Sequence, residues 1–183
     1  MKLSAAFLAA CVLIWPVTAN AAPAPGTTNA ADPRLSQEAN AAFLAANAKK
    51  PGVIIRPDGL QFKIIQNGFG KRPQITDSVE VYYTGALING RVFDGTSPGL
   101  PASFKVNQVI PGWTEALQLM REGDHWQLVI PSALGYGARG AGDAIPPDQV
   151  LVFDMTLVST TPAPRRGEPG YVPDPNDPLD KDK

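Results

Sequence analysis

From residue 53 onward, apolar residues recur every second position, the period of a strand that buries one face. Leu60, Phe62 and Ile64 alternate with Gln61 and Lys63. Val79, Val81 and Tyr83 alternate with Glu80 and Tyr82, and Trp126, Leu128 and Ile130 with Gln127 and Val129. Leu151, Phe153, Met155 and Leu157 alternate with Val152, Asp154 and Thr156. Asn89-Gly90, between Leu87 and Val92, is a two-residue hairpin signal. One stretch breaks the pattern: from Gly112 to about Met120, the residues Trp113, Ala116, Leu117 and Met120 fall on one face of a helix. Strands around a single amphipathic helix predict an antiparallel α+β domain.

The flanks differ from this middle. Residues 1–21 read as a secretory signal, with Lys2, then an apolar run from Leu3 to Val17, then Ala19-Asn20-Ala21 as a small-x-small cleavage site. The apolar run is about 15 residues, short of the ~20 that a membrane span needs. An uncleaved anchor, or a lipoprotein through Leu8-Ala9-Ala10-Cys11, is the lesser alternative. Residues 22–51 form a leader and one helix. Asp32-Pro33 reads as an N-cap with proline at the first helical position, the thin apolar stripe runs on to about Ala48, and Pro51-Gly52 ends it. Residues 52–159 are the folded domain. Residues 160–183 carry six prolines (162, 164, 169, 173, 175 and 178) and only Tyr171, Val172 and Leu179 as large apolar groups, a composition that predicts a disordered, extended tail.

Composition narrows the chemistry. The 183 residues carry a formal net charge of −1, which offers no electrostatic case for nucleic acid or an anionic membrane. With one cysteine, Cys11, and one histidine, His125, no internal disulfide and no Cys/His zinc site can be built. Cleavage after Ala21 would remove that cysteine and leave an exported protein indifferent to redox state, as suits the bacterial periplasm. A hydrolase triad would have to use His125, but no nucleophile elbow accompanies it, and its phase opposite Trp126 places it toward solvent. Gly135 to Gly140 spells G-x-G-x-x-G, yet Ala141 to Pro147 cannot open the helix that a dinucleotide site needs. That segment reads instead as a long glycine-rich loop, a kind that is often functional.

What remains is an aromatic set spread over separate elements: Tyr83, Phe93, Phe104, Trp113, Tyr136 and Phe153. Phe104 reads as core. Asp94 directly after Phe93, and Trp113 at a helix start, set the others apart from simple core.

Five ordered motifs carry these residues: Val81-Tyr82-Tyr83-Thr84-Gly85, Gly90-Arg91-Val92-Phe93-Asp94, Val109-Ile110-Pro111-Gly112-Trp113, Ala133-Leu134-Gly135-Tyr136-Gly137 and Leu151-Val152-Phe153-Asp154. In this order they resemble the FKBP-type peptidyl-prolyl cis-trans isomerases, from about Gly59 to Ser159. Phe43 to Lys50 further resembles the linker helix of the bacterial periplasmic branch, similar to macrophage infectivity potentiator proteins. That branch often carries a long helical dimerisation domain before this point. Only about 30 residues separate Ala21 from Gly52, so a monomer is expected.

The resemblance implies a twisted antiparallel sheet curled around one short helix, with an apolar pocket between them and one further helix before it. It implies rotation of X–Pro bonds in exported, incompletely folded proteins, with no metal or cofactor, and possible sensitivity to macrolide-type inhibitors. Asp94, Tyr136, Trp113 and Phe153 would be the catalytic set, and Tyr83, Phe93, Val109, Ile110 and Ile145 the substrate-binding set. Trp113 would form the pocket floor and Phe93 and Phe153 its walls. The Ile110 N–H and the Tyr136 hydroxyl would hold substrate carbonyls, and Asp94 would stand near the imide. Ala102 stands where the family often has an aromatic wall, and Ala141 and Ala144 replace larger loop residues. Those departures bear on substrate breadth and inhibitor affinity. A non-catalytic chaperone or binding module on the same fold is the alternative reading.

Overall fold

The computed structural model describes residues 32–165 and 168–171. The expected signal segment, most of the leader and the last part of the tail lie outside the described residues. Seven strands form one antiparallel sheet in the order β1-β2-β6-β7-β3-β4, with β5 paired to β3 beside β4. The strands are β1 (Val53–Ile55), β2 (Gln61–Gln66), β3 (Ser78–Leu87), β4 (Val92–Gly95), β5 (Ala102–Lys105), β6 (His125–Ile130) and β7 (Leu151–Thr161). The helices are α1 (Gln37–Asn47) and α2 (Pro111–Leu119). The α+β class and the sheet-around-helix arrangement therefore hold.

Register explains how the sheet builds a core. Phe62 pairs with Leu128, Leu128 with Phe153, and Phe153 with Gly85, so one row crosses four strands on one face. Cross-strand neighbours lie about 4.5–5.5 Å apart at Cβ, so such a row packs as a unit. A parallel row runs Ile64, Trp126, Met155, Tyr83. Phe62 and Trp126 stack, with ring centroids 4.4 Å apart and planes 7° from parallel. Helix α2 lies on this face and buries Gly112, Trp113, Ala116 and Leu117, with Met120 at its C-cap. Pro111 fits the helix start, where its missing N–H costs nothing. Gly112 lets the helix approach β6, because a Cβ there would stand 2.6 Å from Ile130 Cγ2.

The N-terminal helix departs from its expected form. Asp32 caps only a 3-10 turn, Pro33–Leu35, and Ser36 then caps α1 by accepting from the Ala39 N–H at 3.2 Å. Two side-chain caps four residues apart divide what the composition suggested was one helix. The buried residues of α1 are Asn40 and Asn47, so it docks through amides rather than through an apolar stripe. Asn47 Nδ2 donates to Gln61 Oε1 at 2.9 Å, and Gln61 Nε2 donates to the Leu44 carbonyl at 3.1 Å. Gln61, on the polar phase of its strand, is thereby buried under α1.

At the other end β7 continues past Ser159. Thr160 is buried opposite Val79, and the Ala163 N–H donates to Asp77 Oδ1 at 3.2 Å. His125 is half-exposed, and its Nε2 lies 2.7 Å from Asp154 Oδ1 on the neighbouring strand. Among the described residues no helix is long and apolar enough to cross a membrane.

Candidate functional site

Between the sheet and the start of α2 lies a cavity of about 340 Å³. Its lining comes from β3 (Tyr83), β4 (Phe93, Asp94), β5 (Phe104), the segment before α2 (Gln108, Val109, Ile110), α2 (Trp113), the glycine-rich loop (Tyr136) and β7 (Phe153). Eight of the nine residues singled out from the sequence thus meet around one space.

Trp113 holds the rings together. It meets Tyr83, Phe153 and Phe104 edge-on, at centroid distances of 4.9, 5.1 and 5.4 Å and at 77–87° between planes. Such T-shaped pairs contribute about 0.5–1.5 kcal/mol each beyond burial. Phe93 meets Phe153 at 5.6 Å and 88°. Gly85 makes that pair possible: a Cβ there would stand 2.7 Å from both Phe153 Cε1 and Phe93 Cζ. The two wall rings therefore rest on bare backbone.

The polar groups are few and placed. Asp94 sits beside Gly85 in the β3–β4 register and is held twice. The Tyr83 hydroxyl donates to its Oδ2 at 2.7 Å, and the Gly95 N–H donates to its Oδ1 at 2.9 Å. Burial, and then the Asp94 carboxylate, push the Tyr83 phenol well above its ordinary range, so it remains a donor. The Ile110 carbonyl accepts from the Trp113 and Thr114 N–H groups, whereas the Ile110 N–H has no acceptor among the described residues. Tyr136 is 41% exposed, and its hydroxyl makes no hydrogen bond to a described residue. Two donors thus stand ready at the mouth, above a floor whose indole N–H is buried without an oxygen partner. Among the described residues no three His, Cys, Asp or Glu side chains gather as metal ligands would.

Two placements differ from the sequence reading. Ile145 is not in the lining. It is 3% exposed and belongs to the buried cluster, turned inward by a two-way backbone bridge with Ala141 (2.8 and 3.2 Å). Phe104, read as core, is only partly buried and lines the cavity, because β5 is a four-residue edge strand that brings it against Trp113 and Tyr83. Gln108 was not singled out. It closes a 3-10 turn, Val106–Gln108, and nothing in the local pattern marks such a position. Phe104 carried a usable signal, since it already stood in the aromatic set.

Comparison with known proteins points the same way. Residues 70–158 match the family described as FKBP-type peptidyl-prolyl cis-trans isomerase. Residues 26–64 match the domain amino-terminal to that isomerase. The chain is 52% identical over 123 residues to the outer membrane protein MIP of Legionella longbeachae, covering 67% of this chain and 53% of that protein. It is 54% identical over 117 residues to the FKBP-type 22 kDa peptidyl-prolyl cis-trans isomerase of Escherichia coli, covering 63% and 57%. The chain thus spans a little over half the length of these curated relatives. Among solved structures, a peptidyl-prolyl cis-trans isomerase from Pseudomonas syringae superposes with a TM-score of 0.65 at 42% identity, covering 68% of this chain and 92% of that one. FkpA from Escherichia coli superposes with a TM-score of 0.65 at 40% identity, covering 68% and 59%.

Proposed function

The chain belongs to the FKBP-type peptidyl-prolyl cis-trans isomerase family, and from that premise we propose that its aromatic cavity accelerates rotation about X–Pro bonds. The observation that carries this reading is the convergence of rings from separate elements on one small cavity with unengaged donors at its mouth.

The reaction breaks no bond to carbon. Planar amide resonance must be lost, against a barrier of about 18–20 kcal/mol. A planar amide has marked charge separation, and a twisted one has less. Moving it from water into an apolar cavity therefore penalises the planar ground state more than the twisted state. Trp113 as floor, with Phe93 and Phe153 as walls, provides that dry surface. The Ile110 N–H and the Tyr136 hydroxyl can hold carbonyls flanking the proline, so that rotation occurs about one bond only. Asp94, fixed by Tyr83 and Gly95, stands as the one carboxylate of the lining, where it polarises donors near the twisting imide. Each tenfold in rate needs about 1.4 kcal/mol of selective stabilisation, which several such contacts can supply together.

The substrates on this reading are unfolded or partly folded proteins with exposed X–Pro bonds in the periplasm, reached after cleavage at Ala19-Asn20-Ala21. Macrolide-type inhibitors would enter the same cavity, with weaker hold than in family members that have larger residues at Ala102, Ala141 and Ala144. A protease-coupled proline-peptide assay on the purified chain tests the activity, and a folded sample that gives no acceleration overturns it. Fractionation of expressing cells with N-terminal sequencing tests export. A start at Ala22 in the periplasmic fraction is expected, and retention of Met1 in the cytoplasm would refute it.

A further inference from the structure

The glycine-rich loop carries Tyr136 at its start and returns to β7 at Leu151. It is first closed on itself. Ala141 and Ile145 exchange backbone hydrogen bonds, the Gly140 N–H donates to the Tyr136 carbonyl at 3.2 Å, and the Asp148 N–H donates to the Gly137 carbonyl at 2.9 Å. Internal bonds give the loop a shape but do not say where it sits over the cavity. That is set by side chains from two other places.

Arg91 Nη2, in the β3–β4 hairpin, donates to the Ala144 carbonyl at 2.9 Å. Gln149, buried at the base of the loop, donates from Nε2 to the carbonyls of Pro147 (2.9 Å) and Leu35 (3.1 Å). Asn40 on α1 donates to Gln149 Oε1 at 3.2 Å and accepts the Val150 N–H at 2.7 Å. The same N-terminal segment reaches the hairpin as well, where Asn89 Nδ2 donates to Asp32 Oδ2 at 2.8 Å. The contacts close a ring: the segment from Asp32 to Asn40 holds the hairpin at Asn89, the hairpin holds the loop at Ala144, and the loop base is held by Asn40 again. Phe93 and Asp94 follow Arg91 on β4, and Tyr136 heads the loop, so the ring joins the two sides of the cavity mouth.

We infer that the segment Asp32–Asn40 is a clasp that sets the spacing of the cavity mouth, with Arg91 and Asn40 as positioning residues for the isomerase. None of the ring's side chains lines the cavity, so the effect passes through the loop. Buried amides with all their partners present hold one geometry, because any other leaves a costly unpaired group. The clasp deepens the isomerase reading and rests on it only for its kinetic consequence.

The test uses the full chain with Arg91→Met, Arg91→Lys, Asp32→Ala and Asn40→Leu. Four quantities are read: amide exchange at Ala141 and Ile145, kcat and KM on a proline peptide, and the thermal midpoint, which corrects the kinetics for unfolded protein. Arg91→Met is expected to speed exchange at those two amides about fivefold while strand amides of β7 keep their protection. It should raise KM about three- to tenfold with kcat within about twofold, and Arg91→Lys should recover most of the loss. Asp32→Ala should act in the same direction, and both changes are at exposed or half-exposed sites. If Asn40→Leu does not fold, those two still decide the matter. Unchanged exchange at Ala141 and Ile145 overturns the clasp. Faster exchange with unchanged KM in an active protein overturns its role in positioning. A wild-type chain without isomerase activity removes the reading of the function, while the exchange data still judge the clasp.

Discussion

If the dry ring surface carries the rate, deleting the floor should cost more than deleting the donor at the mouth. Trp113→Ala removes three edge-on contacts, at 4.9, 5.1 and 5.4 Å, and leaves space where a nearly fully buried indole stood. Large aromatic deletions of this kind cost about 3–5 kcal/mol of stability. A domain with the usual stability of about 5–15 kcal/mol can stay mostly folded at low temperature after that loss. The catalytic effect is separate: the emptied floor admits water to the place where the planar amide was penalised. Losing about 1.4–2.8 kcal/mol of that selectivity lowers kcat/KM about 10- to 100-fold. Tyr136→Phe, by contrast, removes one half-exposed hydroxyl. A neutral hydrogen bond of about 0.5–1.5 kcal/mol corresponds to about a 2- to 13-fold loss. Phe153→Ala should fall with Trp113→Ala, since that ring touches both Trp113 and Phe93. The assay is protease-coupled peptide isomerisation at low temperature, with a thermal melt of each variant to correct for unfolded protein. A corrected loss larger in Tyr136→Phe than in Trp113→Ala would refute the ordering and move the weight of the mechanism to the donors.

Gly85→Ala should lower activity more than its size suggests, because the new methyl drives Phe93 and Phe153 apart. Overpacking of about 1–3 kcal/mol should appear as a lower melting midpoint and a raised KM for the peptide. Tyr83→Phe leaves Asp94 Oδ2 without its donor and should reduce kcat/KM several-fold while the near-ultraviolet dichroism of the folded protein persists. Asn47→Leu leaves the buried Gln61 Oε1 without its donor, at about 1–3 kcal/mol, and the melt should shift down by several degrees with little change in kcat. His125→Ala breaks a surface pair with Asp154 worth at most about 1 kcal/mol, so activity should be unchanged; a large loss would revive a role for the only histidine.

The parts of the fold legible in the sequence were those where burial follows a period. β3, β7 and α2 put their buried large apolar residues on one repeating face, β6 does so but for Val129, which is buried on the opposite side, and the Asn89-Gly90 turn joins β3 to β4 as its chemistry requires. The N-terminal helix was harder, because it docks through Asn40 and Asn47, and amides are silent in any hydrophobic pattern. Its division at Ser36 came from two competing caps, which periodicity does not register. In the candidate site, residues inside motifs came together as the resemblance implied, whereas the two misplaced ones depend on tertiary detail. Ile145 is drawn inward by its bridge to Ala141, and Phe104 is exposed to the cavity by the shortness of β5. Gln108 follows from its neighbours alone.

The sheet is not assembled in the order in which it is made. β7 lies between β6 and β3, and among the described residues it is the last strand to be synthesised. Until Thr161 has left the ribosome, β3 and β6 lack the partner each needs, and the row from Phe62 to Gly85 has a gap at Phe153. Contacts this distant in sequence form late and slowly. An emerging chain would therefore remain open through most of its synthesis. A circular permutant that moved β7 to the front would let β3 and β6 find their shared partner before the rest of the chain is made.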